Sequence, residues 1–275
     1  MIGKDLPLLN AVIPREFTAV LVKGRSNFLC LRRLSKATRK ANTLFSTIEE
    51  LEQLELIRRW GGETTDGSKS DLDFLPSGRV WDEIASEGTV CMGRACPRRA
   101  ECFYWKARRR MNHAQVLVVN HALFFSDLAV RRQGGSILPD YDAVIFDEAH
   151  TVEAVAGDHL GLNVSSGQVN YILNRLYNDR TNKGLLVEKK LAGLQKKVLA
   201  CRHAADMFFE SLNQWLMMRP GANGRVHDPG IVRNALSPVL KELAKEIREF
   251  EITLDSEEER KDYMSARLRL DVLAA

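Results

Sequence analysis

Ala143-Val144-Ile145-Phe146-Asp147-Glu148-Ala149-His150 is the stretch around which the rest of the chain can be placed. Its first four residues are apolar, and a short apolar run bounded by turn signals reads as a buried strand of a parallel sheet. Pro139-Asp140 supplies the turn before it. The run ends on two acids and a histidine, Asp147, Glu148 and His150. Two carboxylates at the carboxyl end of a strand suit one kind of chemistry: the first can hold a divalent cation, the second can orient a water. The bland alternative is a strand that stops in a solvated acidic turn.

Two further runs have the same character. Thr18-Ala-Val-Leu-Val-Lys23 and Val116-Leu-Val-Val-Asn120 are almost continuously apolar, which suits strands of a parallel sheet covered on both faces. The fold expected is α/β. Residues 1–16 read as a short helix and a turn at Pro14, Gly24 to Asn27 as a polar loop, and His121 as the opening of a helix. The intervening chain is different. Ser46-Thr-Ile-Glu49 is a capping box leading into Leu51, Leu54 and Ile57 at helical spacing, stopped by Gly61-Gly62. A polar loop over 63–71 and a short helix over 79–86 follow. Residues 30–111 therefore read as an insertion between the strands.

That insertion carries Cys91-Met-Gly-Arg-Ala-Cys96-Pro-Arg-Arg-Ala-Glu-Cys102, with Cys30 upstream. Four thiolates can hold an iron–sulfur cluster or a structural zinc. Zinc knuckles favour tighter spacing, and Arg94, Arg98 and Arg99 favour thiolate formation. Unconnected thiols are the plain alternative, and Cys30, between Leu29 and Leu31, fits it best. Cys201 falls on a helical apolar seam and reads as core.

Phe103-Tyr104-Trp105-Lys106-Ala107-Arg108-Arg109-Arg110 reads as a helix mixing rings and cations. With Arg98 and Arg99 just before it and Arg25 in the polar loop far upstream, two readings stand side by side. Rings such as Tyr104 can stack on bases while cations track phosphates, or the rings can pack inward beneath a solvated basic face.

After His150 the chain turns helical. Ser165-Ser166 can cap a helix bearing Val169, Ile172, Leu173 and Leu176. Leu191, Leu194, Val198, Cys201, Ala205, Phe208, Leu212 and Trp215 step by three and four, as do Leu236, Leu240, Leu243, Ile247, Phe250 and Leu254. With a Gly/Pro-containing turn over 217–230 between them, the two seams read as an antiparallel helical hairpin.

Composition sets the outer bounds. The chain has 275 residues, 45% hydrophobic and 28% charged, and a net charge of +4, which excludes a disordered or collagen-like chain. No apolar run approaches a membrane span, and the N-terminus lacks the order of a signal peptide. Five cysteines without a secretion signal favour reduced thiols or metal ligands over disulfides. A cytoplasmic, monomeric protein with no membrane partner is expected.

Asp147-Glu-Ala-His150 behind an apolar strand, preceded by a four-cysteine insertion, resembles the DinG branch of the DinG/XPD-like iron–sulfur DNA helicases. The resemblance also rests on Val22-Lys-Gly-Arg-Ser-Asn-Phe-Leu-Cys-Leu-Arg-Arg33 and Val119-Asn-His-Ala-Leu-Phe124, and extends over nearly the whole chain. It implies a partial RecA-like P-loop NTPase lobe (1–29 and 112–155), an iron–sulfur insertion (30–111) and a helical arch domain (156–275). Cys30, Cys91, Cys96 and Cys102 would ligate a [4Fe–4S] cluster. Asp147 would position the Mg²⁺ of ATP, Glu148 would polarise the attacking water, and His150 would couple the ATP site to DNA. Arg25, Arg98, Arg99, Tyr104, Lys106, Arg108, Arg109 and Arg110 would contact single-stranded or forked DNA, translocated 5′ to 3′, in the setting of DNA repair. A phosphate-binding loop needs G-x-x-x-x-G-K-[ST]. The nearest early match, Gly3-Lys4-Asp5, has Asp where Ser/Thr belongs. The chain is therefore expected to be a fragment whose missing helicase segments are its partners, and to be inactive alone. A non-catalytic, zinc- or iron–sulfur-bearing single-stranded-DNA-binding module is the alternative.

Overall fold

The computed structural model describes residues 5–161, 163–219, 223–228 and 230–275. Gly3 and Lys4 lie outside them. The chain divides into two compact units. The fold is mostly helical with a small parallel sheet.

The first unit comprises residues 1–41, 47–88 and 93–163. Helix α1 (Asp5–Val12) precedes β1 (Ala19–Leu21). β1 pairs in parallel with β2 (Val116–Val118), Ala19 opposite Val116 and Leu21 opposite Val118. The Thr18 amide donates to Gln115 Oε1 at 2.8 Å and sets the start of this register. Between the two strands lie α2 (Leu31–Arg39), the one-turn α3 (Ala41–Leu44), α4 (Ile48–Glu63), α5 (Gly78–Ile84) and α6 (Phe103–Met111). α2, α4 and α5 pack on one another around a core that includes Leu34, Leu54, Ile57, Val80 and Ile84. The segment Phe28–Cys30 runs between two others. The Leu29 amide donates to the Gly67 carbonyl at 2.8 Å, the Cys30 amide to Ile84 at 2.9 Å, and the Ser86 amide to Phe28 at 2.7 Å. Gly67 sits at φ +61, and a Cβ there would lie 2.2 Å from the Phe103 ring, so both its conformation and its packing require glycine. Arg33, buried in α2, donates to the Ala85 and Asp82 carbonyls at 2.6 Å each.

Beyond β2 come α7 (His121–Arg131) and α8 (Val152–Leu160), which pack together. Asn120 caps α7 by accepting from the Leu123 amide at 2.9 Å. Asp127, fully buried, accepts from the Ile137 and Leu138 amides at 2.6 and 2.8 Å and from Arg131 Nε at 2.7 Å. Burial acts to raise its carboxyl, but these bonds outweigh burial and hold it below the ordinary carboxylate value.

The second unit comprises residues 42–46, 89–92 and 164–275. It holds α9 (Ser166–Leu176), α10 (Leu185–Glu188), α11 (Ala192–Met217), α12 (Leu236–Glu251) and α13 (Glu257–Ala274). Ser165 and Gln168 form a capping box at the head of α9. One core joins Val169, Ile172 and Leu173 of α9, Leu194, Val198 and Cys201 of α11, Leu240, Leu243 and Ile247 of α12, and Tyr263, Ala266 and Leu270 of α13. Cys201 belongs to this core. Burial pushes its thiol up to about 11, and its Sγ lies 3.4 Å from the Val239 carbonyl. Lys183 Nζ donates to the carbonyls of Asn42, at 3.0 Å, and Phe45, tying residues 42–46 to the bundle.

Four expectations are corrected. Residues 143–146 do not form a strand: they are irregular, with Val144 42%, Ile145 96% and Phe146 41% exposed. A parallel strand draws its stability from ladder partners and cover on both faces. The β1–β2 pair, three residues long per strand, supplies neither to this run. The capping box of α4 is Thr47 with Glu50, one residue later than the spacing suggested. Ser46 and Glu49 fit the same pattern, and only the backbone geometry selects between them. The bundle is more than a hairpin, because α12 packs against both α11 and α13. The charged run Glu257–Asp262 hides the apolar stepping Tyr263, Ala266, Leu270 and Ala274 behind it. α2 was also missed: its Arg32 and Arg33 occupy buried positions where periodicity looks for apolar residues. Among the described residues no helix is long and apolar enough to cross a membrane.

Candidate nucleotide and nucleic-acid site

Asp147, Glu148 and His150 stand together on one exposed turn between residue 146 and α8. Phe146 anchors the approach. Its ring lies 5.2 Å from Phe124, 6.3 Å from Phe125 and 5.8 Å from the His121 ring, all on α7. The chain then reverses at Glu148, whose φ of 47 and ψ of 47 place a non-glycine residue in the left-handed region. Such a backbone costs about 1 kcal/mol or more and persists where its surroundings hold it. Here the Glu148 carbonyl accepts from the Thr151 amide at 2.9 Å and from Thr151 Oγ1 at 3.0 Å. The Glu148 amide donates to Asp147 Oδ1 at 2.9 Å. His150 Nδ1 lies 3.4 Å from Glu148 Oε2. Asp147 thus keeps its second carboxylate oxygen open, and the Glu148 side chain is 71% exposed. Mg²⁺ binds through one or two carboxylates and completes its shell with water and substrate phosphates. Two hard oxygen donors on one open turn fit that requirement.

The basic helix divides by face. Phe103, Tyr104 and Met111 of α6 are buried; Lys106, Arg109 and Arg110 are exposed. Tyr104 is 9% exposed, with Arg25 Cζ 3.8 Å from its ring centroid and Phe28 edge-on at 6.1 Å. Its ring therefore packs inward and presents no face to a base, against the stacking expectation. Arg99 lies 4.2 Å over the half-buried Trp105 and donates to the Gly93 carbonyl at 3.1 Å. Arg98 pairs with Glu101 at 2.6 Å and Arg110 with Asp66 at 2.5 Å. Arg108 lines a small cleft between β1 and α6, with Nη1 buried and without a hydrogen-bond partner. At about 20 Å³ that cleft holds a water at most. Lys106 and Arg109 are the cations of this helix that stand exposed with no ion pair assigned to them, and with Arg98 and Arg110 they make a surface suited to a phosphate backbone.

The cysteines of the insertion fall in both compact units. None of the five cysteines forms a disulfide. Cys30 and Cys102 begin α2 and α6, and Cys96 sits in the turn after 93–95. Cys91 lies on the 89–92 segment of the second unit. Among the described residues no three Cys, His, Asp or Glu side chains stand together as a metal-holding group. Thiolates repel one another, and metal sites generally form with the metal, so the polypeptide alone has no force that would gather them.

Thr151 escaped the sequence reading. Its tie to Glu148 spans three residues, but its tie to His121 spans thirty, and no periodicity signals such a pair.

Comparison with known proteins places this site in context. The DEAD_2 family model matches residues 86–169, from the cysteine run through the acidic turn. The ATP-dependent DNA helicase YoaA of Escherichia coli is 35% identical over 169 residues, 61% of this chain and 26% of the relative. The ATP-dependent DNA helicase DinG of Photobacterium profundum is 35% identical over 168 residues, 58% of this chain and 24% of the relative. The 3′-5′ exonuclease DinG of Bacillus subtilis is 29% identical over 222 residues, 78% of this chain and 22% of the relative. The chain is similar to DinG-like helicases, and the matches span about a quarter of those relatives' length.

Proposed function

We propose that this chain is part of the first motor lobe of a DinG-like, ATP-dependent DNA helicase that moves 5′ to 3′ on single-stranded DNA. Residues 1–29 and 112–155 belong to the lobe, 30–111 to a metal-bearing insertion, and 156–275 to a helical arch. One observation carries the reading: Asp147, Glu148 and His150 share a single open turn inside the stretch similar to the DEAD_2 family. Asp147 offers its open oxygen to the Mg²⁺ of ATP, which neutralises charge on the phosphates when bound. Glu148 accepts a hydrogen bond from the attacking water and orients it. His150, beside Glu148, senses that carboxylate and relays its state toward DNA. The exposed cations of α6 track the strand's phosphates.

Cys30, Cys91, Cys96 and Cys102 are our proposed ligands for a [4Fe–4S] cluster on their sequence pattern.

The test is DNA-stimulated ATP hydrolysis by the longest natural protein carrying this segment, with iron, zinc and sulfide counted after anaerobic purification. The wild type is expected to unwind duplexes bearing a 5′ tail, and Glu148→Gln to lower kcat by roughly 10²-fold or more while ATP still binds. Wild-type protein that binds single-stranded DNA, holds one zinc and never hydrolyses ATP would replace this reading with a non-catalytic binding module.

A further inference from the structure

His121 belongs to the run Val119-Asn-His-Ala-Leu-Phe124, to which the proposed function assigns no task. Asn120 accounts for itself as the cap of α7. His121 does not, and its ring is engaged twice. Its Nδ1 lies 3.1 Å from Thr151 Oγ1, and its ring lies 5.8 Å from Phe146. Phe146 and Thr151 flank the acidic turn on either side.

The direction of these hydrogen bonds follows from proton count. A threonine hydroxyl has one proton to donate. Thr151 gives it to the Glu148 carbonyl at 3.0 Å, which has no proton to offer in return. The His121–Thr151 bond must then be donated by the imidazole, so Nδ1 carries a proton. The chain of donation runs His121 Nδ1–H to Thr151 Oγ1–H to the Glu148 carbonyl. That carbonyl belongs to the one residue of the turn held at positive φ.

We propose that His121 is a positioning residue: through Thr151 it holds the Glu148 backbone in its left-handed conformation, and so fixes the direction of the carboxylate that orients water. It touches neither nucleotide nor water. The inference rests on the helicase reading for the meaning of Glu148, but the relay itself is a property of this turn. Its consequence is an imidazole locked as the Nδ1–H tautomer, whereas histidine in water favours a proton on Nε2. Releasing either link frees the turn to relax toward an ordinary conformation.

Two measurements on the full chain test the relay. Nitrogen-15 NMR of the His121 ring is expected to show a protonated Nδ1 and an unprotonated Nε2. Thr151→Val is expected to abolish that signature and Thr151→Ser to restore it. Amide hydrogen exchange at Thr151, whose N–H bonds the Glu148 carbonyl, is expected to accelerate roughly fivefold in His121→Phe and in Thr151→Val, with no further gain in the double variant. Thr151→Ser retains the wild-type rate. An Nε2–H tautomer in the wild type, or additive effects in the double variant, overturns the proposal. In the ATP-hydrolysing longer protein, His121→Phe is expected to lower kcat and leave KM for ATP unchanged. If that protein has no ATPase activity, the helicase reading fails while the tautomer and exchange data still decide the relay. If activity is present and His121→Phe leaves kcat unaltered, the positioning role fails and the helicase reading stands.

Discussion

The helical unit and the sheet-bearing unit meet the same demand, the burial of apolar side chains, with different success. In the bundle, Leu240, Leu243 and Ile247 of α12 are completely buried among α9, α11 and α13. In the other unit, Val144, Ile145 and Phe146 are as apolar as any strand of a parallel sheet, yet Ile145 is 96% exposed. A helix satisfies its backbone internally and needs only a neighbour for one stripe. A strand needs a ladder partner and a covering layer supplied by other parts of the chain before its side chains are buried. An apolar run therefore predicts burial in a bundle more surely than in a sheet, where burial depends on residues far away in sequence.

Mutations can break or sharpen this contrast. Leu240→Ala leaves a cavity in a closed core and is expected to destabilise the helical unit by about 3 kcal/mol, read by chemical unfolding monitored by circular dichroism. Phe146→Ala, at a half-exposed ring, should cost clearly less. Equal losses would mean that the acidic turn is as tightly packed as the bundle.

Within the sheet-bearing unit, Asp127 is a fully buried carboxylate that holds distant backbone. Asp127→Ala orphans the Ile137 and Leu138 amides and is expected to cost roughly 2 kcal/mol. Because folding lowers this carboxyl, its contribution is complete above its ordinary value near about pH 4 and disappears as pH falls through the lowered value. Wild type should lose stability across that acid window, and Asp127→Asn should lose less. An identical acid limb in both would remove Asp127 as its source.

The smallest expected effect separates two adjacent caps. Thr47→Ala should cost about 1 kcal/mol by removing the α4 cap and should speed exchange of the Glu50 amide, whose hydrogen bond Thr47 Oγ1 accepts, whereas Ser46→Ala should leave the exchange of that amide unchanged. The reverse outcome would restore the capping register read from the sequence.

Helices with apolar stripes were legible almost to the residue. The stepping Leu194, Val198, Cys201, Ala205 and Leu236, Leu240, Leu243, Ile247 is the core observed, because each stripe is a local property of its own helix. The cap at Ser165 is local in the same sense. α2 and α13 were not legible, since the buried guanidinium of Arg33 is satisfied by the Ala85 and Asp82 carbonyls and Ser256 caps a run of charges. Of the candidate site, the residue types were readable and their surroundings were not. Tyr104 was readable as an aromatic among cations, but only folding shows Arg25 and Phe28 against its ring. Likewise, Cys91, Cys96 and Cys102 form a pattern in sequence, but only the fold shows that Cys91 belongs to the second compact unit and Cys96 and Cys102 to the first.

By itself the sequence determined the helices whose apolar stripes are local, and the chemistry on offer at Asp147, Glu148 and His150. Those features follow from interactions a few residues in range, or from side-chain identity alone. Tertiary structure decided that residues 143–146 remain unpaired, that α13 closes the bundle, and that His121 reaches Thr151 and through it Glu148. Each of these depends on contacts between distant residues, whose free energy is realised only once the chain has brought them together.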